Sequence, residues 1–63
     1  MTASPDLELL TIKEVADLLK VSEPTVRRLQ QSRLIPFFKV GGGIRFAKDD
    51  IVNYLKKMRV EAM

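Results

Sequence analysis

The sequence predicts a small α+β domain of three helices and a two-stranded β-hairpin. Three observations predict it: two amphipathic helical patterns joined by a short connection, a run of three glycines between two strand-like segments, and a third helical pattern after them. A chain of 63 residues forms one domain with a thin core. It has no cysteine and no histidine, so a disulfide framework, a thiolate metal site and a histidine base are excluded. We therefore expect no cofactor, no metal ligands and no catalytic residues.

The first helix is predicted to begin directly after Thr11. Thr11 and Glu14 stand three residues apart before an apolar series, which is the capping-box arrangement. The apolar stripe of this helix has four members at helical spacing: Ile12, Val15, Ala16 and Leu19. Upstream, residues 1–8 are predicted to be a flexible leader, and Leu9 and Leu10 a short extended segment or a hydrophobic staple. The folded domain is therefore predicted over residues 9–59.

A second helix is predicted over residues 23–31. Ser22 is its N-cap and Pro24 lies in its first turn, where a missing amide costs nothing. Val26 and Leu29 point to one side of this helix. Because only a tight connection separates it from the first helix, the pair is a helix-turn-helix candidate.

The side of the second helix opposite Val26 carries basic and hydrogen-bonding groups. Its members are Pro24, Arg27, Arg28 and Gln31, with Thr25 on the flank. Arg and Gln match the hydrogen-bonding groups of guanine and adenine in the major groove. Ser22 and Thr25 suit phosphate oxygens near a positive helix end. An ordinary solvated helix face is the alternative interpretation, because Arg and Gln also favour helices.

Three glycines, Gly41, Gly42 and Gly43, are predicted to form a hairpin tip between strands at 37–40 and 44–46. A tip without side chains lets the backbone approach another molecule closely. A hairpin whose glycines serve only the turn is the alternative. Strand alternation predicts four inward side chains, Phe38, Val40, Ile44 and Phe46, and two outward ones, Lys39 and Arg45. Leu34 and Ile35, before the hairpin, are expected to pack inward.

The third helix is predicted to begin at Lys48, with Asp49 and Asp50 at its positive end. Its apolar stripe consists of Ile51, Tyr54, Leu55 and Met58. Three bases near its other end are interpreted as surface charges that complement the helix dipole, with a second phosphate contact as the alternative: Lys56, Lys57 and Arg59. Residues 60–63 are expected to fray.

Basic residues concentrate between residues 27 and 48. The whole chain holds 11 basic and 8 acidic residues, but this stretch holds no acidic residue. Its bases are Arg27, Arg28, Arg33, Lys39, Arg45 and Lys48. A region of one charge sign attracts a polyanion, and the guanidinium group suits phosphate and guanine edges. Charges scattered for solubility are the alternative interpretation.

With these elements in place, residues 9–55 resemble a known family. The segments "LLTIKEVADLLKVSEPTVRRLQQSRLIP" and "FKVGGGIRFAKDDIVNYL" are similar to the winged helix-turn-helix DNA-binding domains of phage and integrative-element excisionases, a group similar to the DNA-binding domain of MerR-type regulators. The resemblance implies helix 23–31 in the major groove, and hairpin 38–46 as a wing on an adjacent minor groove or its phosphates. It implies helix contacts by Thr25, Arg27 and Arg28, and wing contacts by Lys39, Gly42 and Arg45. We also expect Gly43 at the wing tip and Lys48 in the basic stretch to contact DNA.

The sequence departs from the family pattern at two places. The family usually has a glycine in the left-handed conformation where Ser32 stands, so either Ser32 adopts that conformation or the recognition helix ends differently. Many relatives carry an aromatic or basic residue where Gly43 or Ile44 stands. The wing tip therefore offers backbone here.

The resemblance implies DNA binding without chemistry. We expect a sequence-selective double-stranded DNA-binding protein, an excisionase-like architectural factor that binds cooperatively at adjacent sites and directs site-specific recombination. An integrase is then its protein partner, with self-association on DNA, a cytoplasmic, nucleoid-associated location, and neither a membrane nor a small-molecule partner. A small MerR-like transcriptional regulator and a protein-interaction module on the same fold are the alternatives. RNA binding is disfavoured because the four aromatic residues are mostly needed by the core.

Overall fold

The computed structural model describes residues 7–62. Its elements, in chain order, are β1 (Leu9–Leu10), α1 (Ile12–Leu19), α2 (Glu23–Gln31), β2 (Phe38–Val40), β3 (Gly43–Ala47) and α3 (Lys48–Met58). The predicted α+β winged helix-turn-helix class is confirmed, with one additional two-residue strand at the start. Residues 1–6 of the predicted leader, and residue 63 of the predicted frayed tail, lie outside the described residues. Within residues 7–62, no helix is long and apolar enough to cross a membrane.

The core lies where α1, α2, α3 and the sheet meet. Its buried members are Leu10, Val15, Ala16, Val26, Ile35, Phe46 and Ile51. The predicted stripes of α1 and α2 supply Val15, Ala16 and Val26, which confirms the helical periodicity. Full burial of a side chain such as Phe46 or Ile51 stabilises the fold by about 1.5–3 kcal/mol. These few side chains therefore hold all three helices against one sheet.

The sheet is antiparallel with strand order β1-β3-β2, so β3 is its central strand. Leu10 of β1 lies opposite Phe46 of β3, and both side chains are buried. The extended conformation predicted for Leu9 and Leu10 is confirmed. β3 continues directly into α3, and through Phe46 it ties the wing to the core.

The predicted inward packing of Phe38 and Val40 is wrong. Their side chains are 42% and 48% exposed. Phe38 lies opposite Arg45, and Val40 lies opposite Gly43. Opposed residues in an antiparallel pair share a face, so Phe38 and Val40 lie on the outer face of the hairpin with Arg45. Phe46, one residue further along β3, lies on the inner face.

The cause is the length of the turn. Only Gly41 and Gly42 separate the strands, because Gly43 already belongs to β3. A tip of three glycines pairs Val40 with Ile44 instead, and a shift of one residue moves every side chain of the strand to the other face. Lys39 consequently lies opposite Ile44, on the other face of the hairpin from Arg45. The prediction that these two bases project together is wrong for the same reason.

Two further packing predictions are wrong in part. Ile35 is fully buried as predicted, but Leu34, in the same segment between α2 and β2, is 60% exposed. In α3, Ile51 is buried and Tyr54 packs against the core, whereas Leu55 and Met58 are exposed. The second half of α3 therefore contributes less apolar burial than its stripe predicts.

Candidate nucleic-acid interface

The start of α2 is closed by Ser22. Its Oγ accepts a hydrogen bond from the backbone amide of Thr25 at 3.3 Å and lies 2.9 Å from Thr25 Oγ1. The predicted N-cap is confirmed, with Pro24 in the first turn. Each hydroxyl carries one proton, and the pair consumes only one of the two in its mutual bond. One hydroxyl proton therefore remains for an acceptor such as a phosphate oxygen.

The end of α2 is closed one residue later than the family pattern implies. Ser32 is right-handed, with φ −80°, and Arg33 takes the left-handed conformation, with φ 58°. The amide of Arg33 donates to the carbonyl of Gln30 at 3.0 Å, and the amide of Leu34 donates to the carbonyl of Leu29 at 3.1 Å. This is the Schellman arrangement, which satisfies carbonyls that a helix end leaves open. A left-handed conformation at a residue other than glycine costs about 1–2 kcal/mol.

The outer face of α2 presents the predicted helix contacts. Pro24, Arg27, Arg28 and Gln31 are exposed, and Thr25 is half-buried on the flank. Because Val26 is fully buried and successive residues are 100° apart, Arg28 and Gln31 lie close to the outermost line of the helix. Within residues 7–62, neither Arg27 nor Arg28 forms an ion pair. The face is therefore cationic and open.

The wing tip is a two-residue turn with positive φ at both glycines, 55° at Gly41 and 86° at Gly42. Such turns match the twist of the flanking strands. Gly43 has a different role, because a Cβ there comes within 2.8 Å of Arg45 Nη1. Nη1 also donates to the carbonyl of Ile44 at 2.9 Å. The guanidinium of Arg45 is therefore folded back over the wing and half-buried.

An open groove of about 350 Å³ runs between α1, α2 and the wing. Arg27 lines it from α2, and Arg45, Gly42 and Gly43 line it from the wing, so four of the predicted contacts are brought together. Lys13, in the first turn of α1, lines the same groove. The sequence indicates only that Lys13 lies off the apolar stripe of its helix. Its closeness to the wing depends on tertiary structure.

Two predicted contacts, Lys48 and Lys39, lie neither on α2 nor in this groove. The amide of Lys48 donates to the carbonyl of Glu8 at 2.9 Å, and its Nζ lies 3.8 Å from Glu8 Oε1. Both side chains are more than half exposed, so this ion pair contributes little to stability. Lys39 is exposed on the other face of the hairpin from Arg45. Neither lysine lines the groove.

Comparison with known proteins agrees with this geometry. A family model described as "Helix-turn-helix domain" matches residues 9–59. The "Putative antitoxin VapB50" of Mycobacterium tuberculosis is 42% identical over 50 residues, 79% of this chain and 38% of that protein. The "Transcriptional repressor DcmR" of Methylorubrum extorquens is 42% identical over 50 residues, 76% of this chain and 19% of that protein.

A longer match covers nearly the whole chain. The uncharacterized protein Rv2310 of Mycobacterium tuberculosis is 37% identical over 59 residues, 94% of this chain and 52% of that protein. The chain therefore spans between about a fifth and about half of the length of these relatives. No solved structure gives a significant match to the chain.

Proposed function

Because the chain belongs to the helix-turn-helix domain family over residues 9–59, we propose that it binds double-stranded DNA in a sequence-selective way. The observation that carries the proposal is the exposed face of α2, where Arg28 and Gln31 stand on the outermost line. Arg pairs with guanine, and Gln with adenine, on the edges that the major groove displays. An α-helix with its side chains is about 10–12 Å in diameter, which fits a major groove about 12 Å wide.

The wing supplies a second contact in this proposal. Among residues 7–62, apart from its two chain neighbours, no atom lies within 4 Å of where a Cβ would stand at Gly42, so the backbone of the tip is open to close approach. Arg45 adds positive charge beside the tip, Lys39 adds charge on the other face of the hairpin, and Lys48 adds charge at the start of α3. Ser22 and Thr25 offer a hydroxyl donor at the start of α2. Neutralisation of phosphates by such groups accounts for much of the affinity of DNA-binding proteins and makes it depend on salt.

Several copies act together in this proposal. A single module of this size buries only about 600–1,000 Å² on DNA, which favours weak binding by one copy. Self-association at adjacent sites raises the overall affinity, because the first bound copy raises the effective concentration of the second copy at the neighbouring site. The bound region is then a row of similar short sites. The bacterial or phage nucleoid in the cytoplasm is the corresponding location.

Two biological roles use this mode of binding. The motifs of residues 9–55 support an excisionase-like architectural role, with an integrase as partner. The 42% identity to the "Transcriptional repressor DcmR" supports control of transcription as the second candidate, which includes a small MerR-like regulator. The genomic position of the sites separates the roles, because an excisionase binds beside attachment sites and a regulator binds at promoters.

The test is a mobility-shift titration of the protein on random duplex DNA at two salt concentrations, followed by selection and sequencing of the bound pool. We expect an enriched motif in adjacent repeats. Arg28→Ala is expected to lower specific affinity by about 1–3 kcal/mol and to relax the base preference at one position. Arg59→Ala removes the same charge from an exposed side chain paired with Glu61, and serves as the matched control.

Two results contradict parts of the proposal. If Arg28→Ala loses the same affinity on every DNA sequence, Arg28 contacts a phosphate and does not recognise a base. If the wild-type protein retains no DNA at either salt concentration, DNA binding is wrong, and a protein-interaction module on this fold becomes the better explanation.

A further inference from the structure

We infer that Lys13, Arg27 and Arg45 together bind one phosphate of the DNA backbone in the groove between α2 and the wing. The inference rests on the proposed function and deepens it in two ways. It adds α1 to the interface through Lys13. It also assigns Arg27 to the backbone and leaves base recognition to Arg28 and Gln31.

Three bases from different elements converge on the groove. Lys13 comes from α1, Arg27 from α2 and Arg45 from β3, yet all three residues line one groove of about 350 Å³. Gly42 and Gly43 form part of the same lining and place no side chain in it. The groove is open to solvent along its length, so a continuous strand can enter it without a change in the fold.

The charge of the groove also favours an anion. Among residues 7–62, no carboxylate lines this groove, and the nearby Glu14 accepts a hydrogen bond from the amide of Thr11 at 2.8 Å. Two other grooves of the described chain each contain carboxylates, Glu8 and Asp49 in one and Asp50 in the other. Uncompensated bases in a concave site focus a positive potential. An anion is therefore favoured in this groove more than in the other two.

The geometry of Arg45 prepares it for a phosphate. Its Nη1 is held by the carbonyl of Ile44 and packs over Gly43. Within residues 7–62 this is the one hydrogen bond that the guanidinium makes, and it uses one of five N–H donors. A side chain already held in place loses less conformational entropy when it binds. Arg45 is therefore prepared to receive a phosphate oxygen beside the wing.

Two neighbouring arginines of α2 have different positions relative to the groove. Arg27 and Arg28 are 100° apart around α2, and only Arg27 lines the groove. In protein–DNA interfaces, phosphate contacts fix the register of the protein, and base contacts specify the sequence. Arg27 faces the strand that passes between α2 and the wing, whereas Arg28 faces the floor of the major groove.

The experiment compares two duplexes, the one recovered by selection and a scrambled version, over a series of salt concentrations. Lys13→Ala and Arg27→Ala are each expected to weaken binding to both duplexes by the same factor, roughly fivefold. Each is also expected to reduce the slope of log affinity against log salt, but by less than the roughly 0.9 of a whole phosphate contact, because the other two bases still neutralise the shared phosphate. Lys57→Ala removes the same charge from a different groove, and its slope should stay at the wild-type value. Lys13→Arg should restore most of the affinity.

A methylphosphonate scan then locates the phosphate. Each phosphate of the selected duplex is neutralised in turn, and the affinity of the wild-type protein is expected to fall at one position beside the wing. Lys13→Ala, Arg27→Ala and Arg45→Ala should all lose sensitivity at that same position. Melting curves of the variants confirm that each is folded, since all three side chains lie at the surface or half-buried.

The outcomes separate this inference from the proposal on which it rests. An unchanged slope for Lys13→Ala, or three variants insensitive at three different phosphates, overturns the shared site and leaves base recognition by α2 intact. A titration with inorganic phosphate, followed by NMR, tests for a free anion. If inorganic phosphate shifts the NMR signals of the groove residues but none of the three substitutions changes the affinity for DNA, the inference is wrong. If the wild-type protein binds no DNA, both proposals fall.

Discussion

The recognition helix and the wing rest on the same core but are held by different means. α2 inserts Val26, fully buried, and packs Leu29 against the core, and both of its ends are closed by hydrogen bonds. The wing rests on the core through the inner face of β3, where Phe46 is fully buried. Its outer face carries Phe38 and Val40, which are 42% and 48% exposed. The position of α2 is therefore set by tertiary packing, and the shape of the wing tip by the chemistry of a local turn.

This difference suits the two tasks in the proposal. Base recognition needs side chains placed within a fraction of an ångström, and a helix locked at both ends provides such placement. Phosphate contacts tolerate more variation, since they depend mainly on charge. The two attachments should therefore respond differently to substitution, from a change that removes both to one that tightens a single helix end.

Phe46→Ala is expected to have the largest effect, because it removes the side chain that joins wing and core. Truncation of a fully buried phenylalanine costs about 3–5 kcal/mol, comparable with the whole stability of a domain of this size. We expect circular dichroism to show that this variant is already unfolded at 37 °C and has no cooperative melting transition. Phe38→Ala is the matched control on the outer face of the same hairpin, and its cost should stay below about 1 kcal/mol. Similar costs for the two variants contradict the observed register.

Gly42→Ala should weaken the wing without touching α2. A Cβ at Gly42 meets no atom, but φ of 86° is strained for any L side chain, so we expect a loss of about 1–2 kcal/mol. Gly43→Ala is the matched control, because its backbone is compatible and its Cβ comes too close only to the end of the Arg45 side chain, with the carbonyl oxygen of Val40 at an ordinary 3.5 Å. We expect its melting temperature near the wild-type value and a changed salt slope on DNA. Equal destabilisation by both variants contradicts the two-residue turn.

The hairpin marks the limit of what the sequence predicts about the fold. The bounds of α1 and α2 follow from signals within a few residues, the capping box of Thr11 and Glu14 and the N-cap of Ser22. The register does not, because alternation in β2 and β3 is equally regular whether two or three glycines form the turn. The choice depends on pairing across the hairpin and on where Arg45 packs.

The candidate site likewise has a part that the sequence predicts and a part that depends on tertiary structure. A helical wheel places Arg27, Arg28 and Gln31 on one face of α2, and the structure has them there. Lys13 could not be selected in this way, because a polar residue off an apolar stripe is ordinary on any surface helix. Its proximity to Arg45 arises only when α1 and β3 pack together. The contacts themselves remain predictions, which the DNA titrations test.

Ser22→Ala tests the start of α2 separately from the wing. Loss of an N-cap hydroxyl costs about 1 kcal/mol, which should lower the melting temperature by several degrees. Ser22→Asp keeps a capping oxygen and adds a charge that favours the helix start, so its stability should match the wild type. The same charge repels phosphate, so its DNA affinity should fall. If Ser22→Asp binds DNA as well as the wild type does, Ser22 lies away from the backbone.

Arg33→Gly is the smallest change and the one expected to stabilise. Glycine relieves the left-handed strain at φ 58° but adds freedom to the unfolded chain, so the net gain is about 0.5–1 kcal/mol, seen as a rise of a few degrees in melting temperature. Ser32→Gly is expected to destabilise the protein, because Ser32 is right-handed and glycine there adds only unfolded-state entropy. The family pattern places its glycine at position 32, so the two variants decide between two ends for α2. If Ser32→Gly stabilises the protein instead, α2 ends one residue earlier than the structure shows. The chain then leaves α2 toward the wing in a different direction.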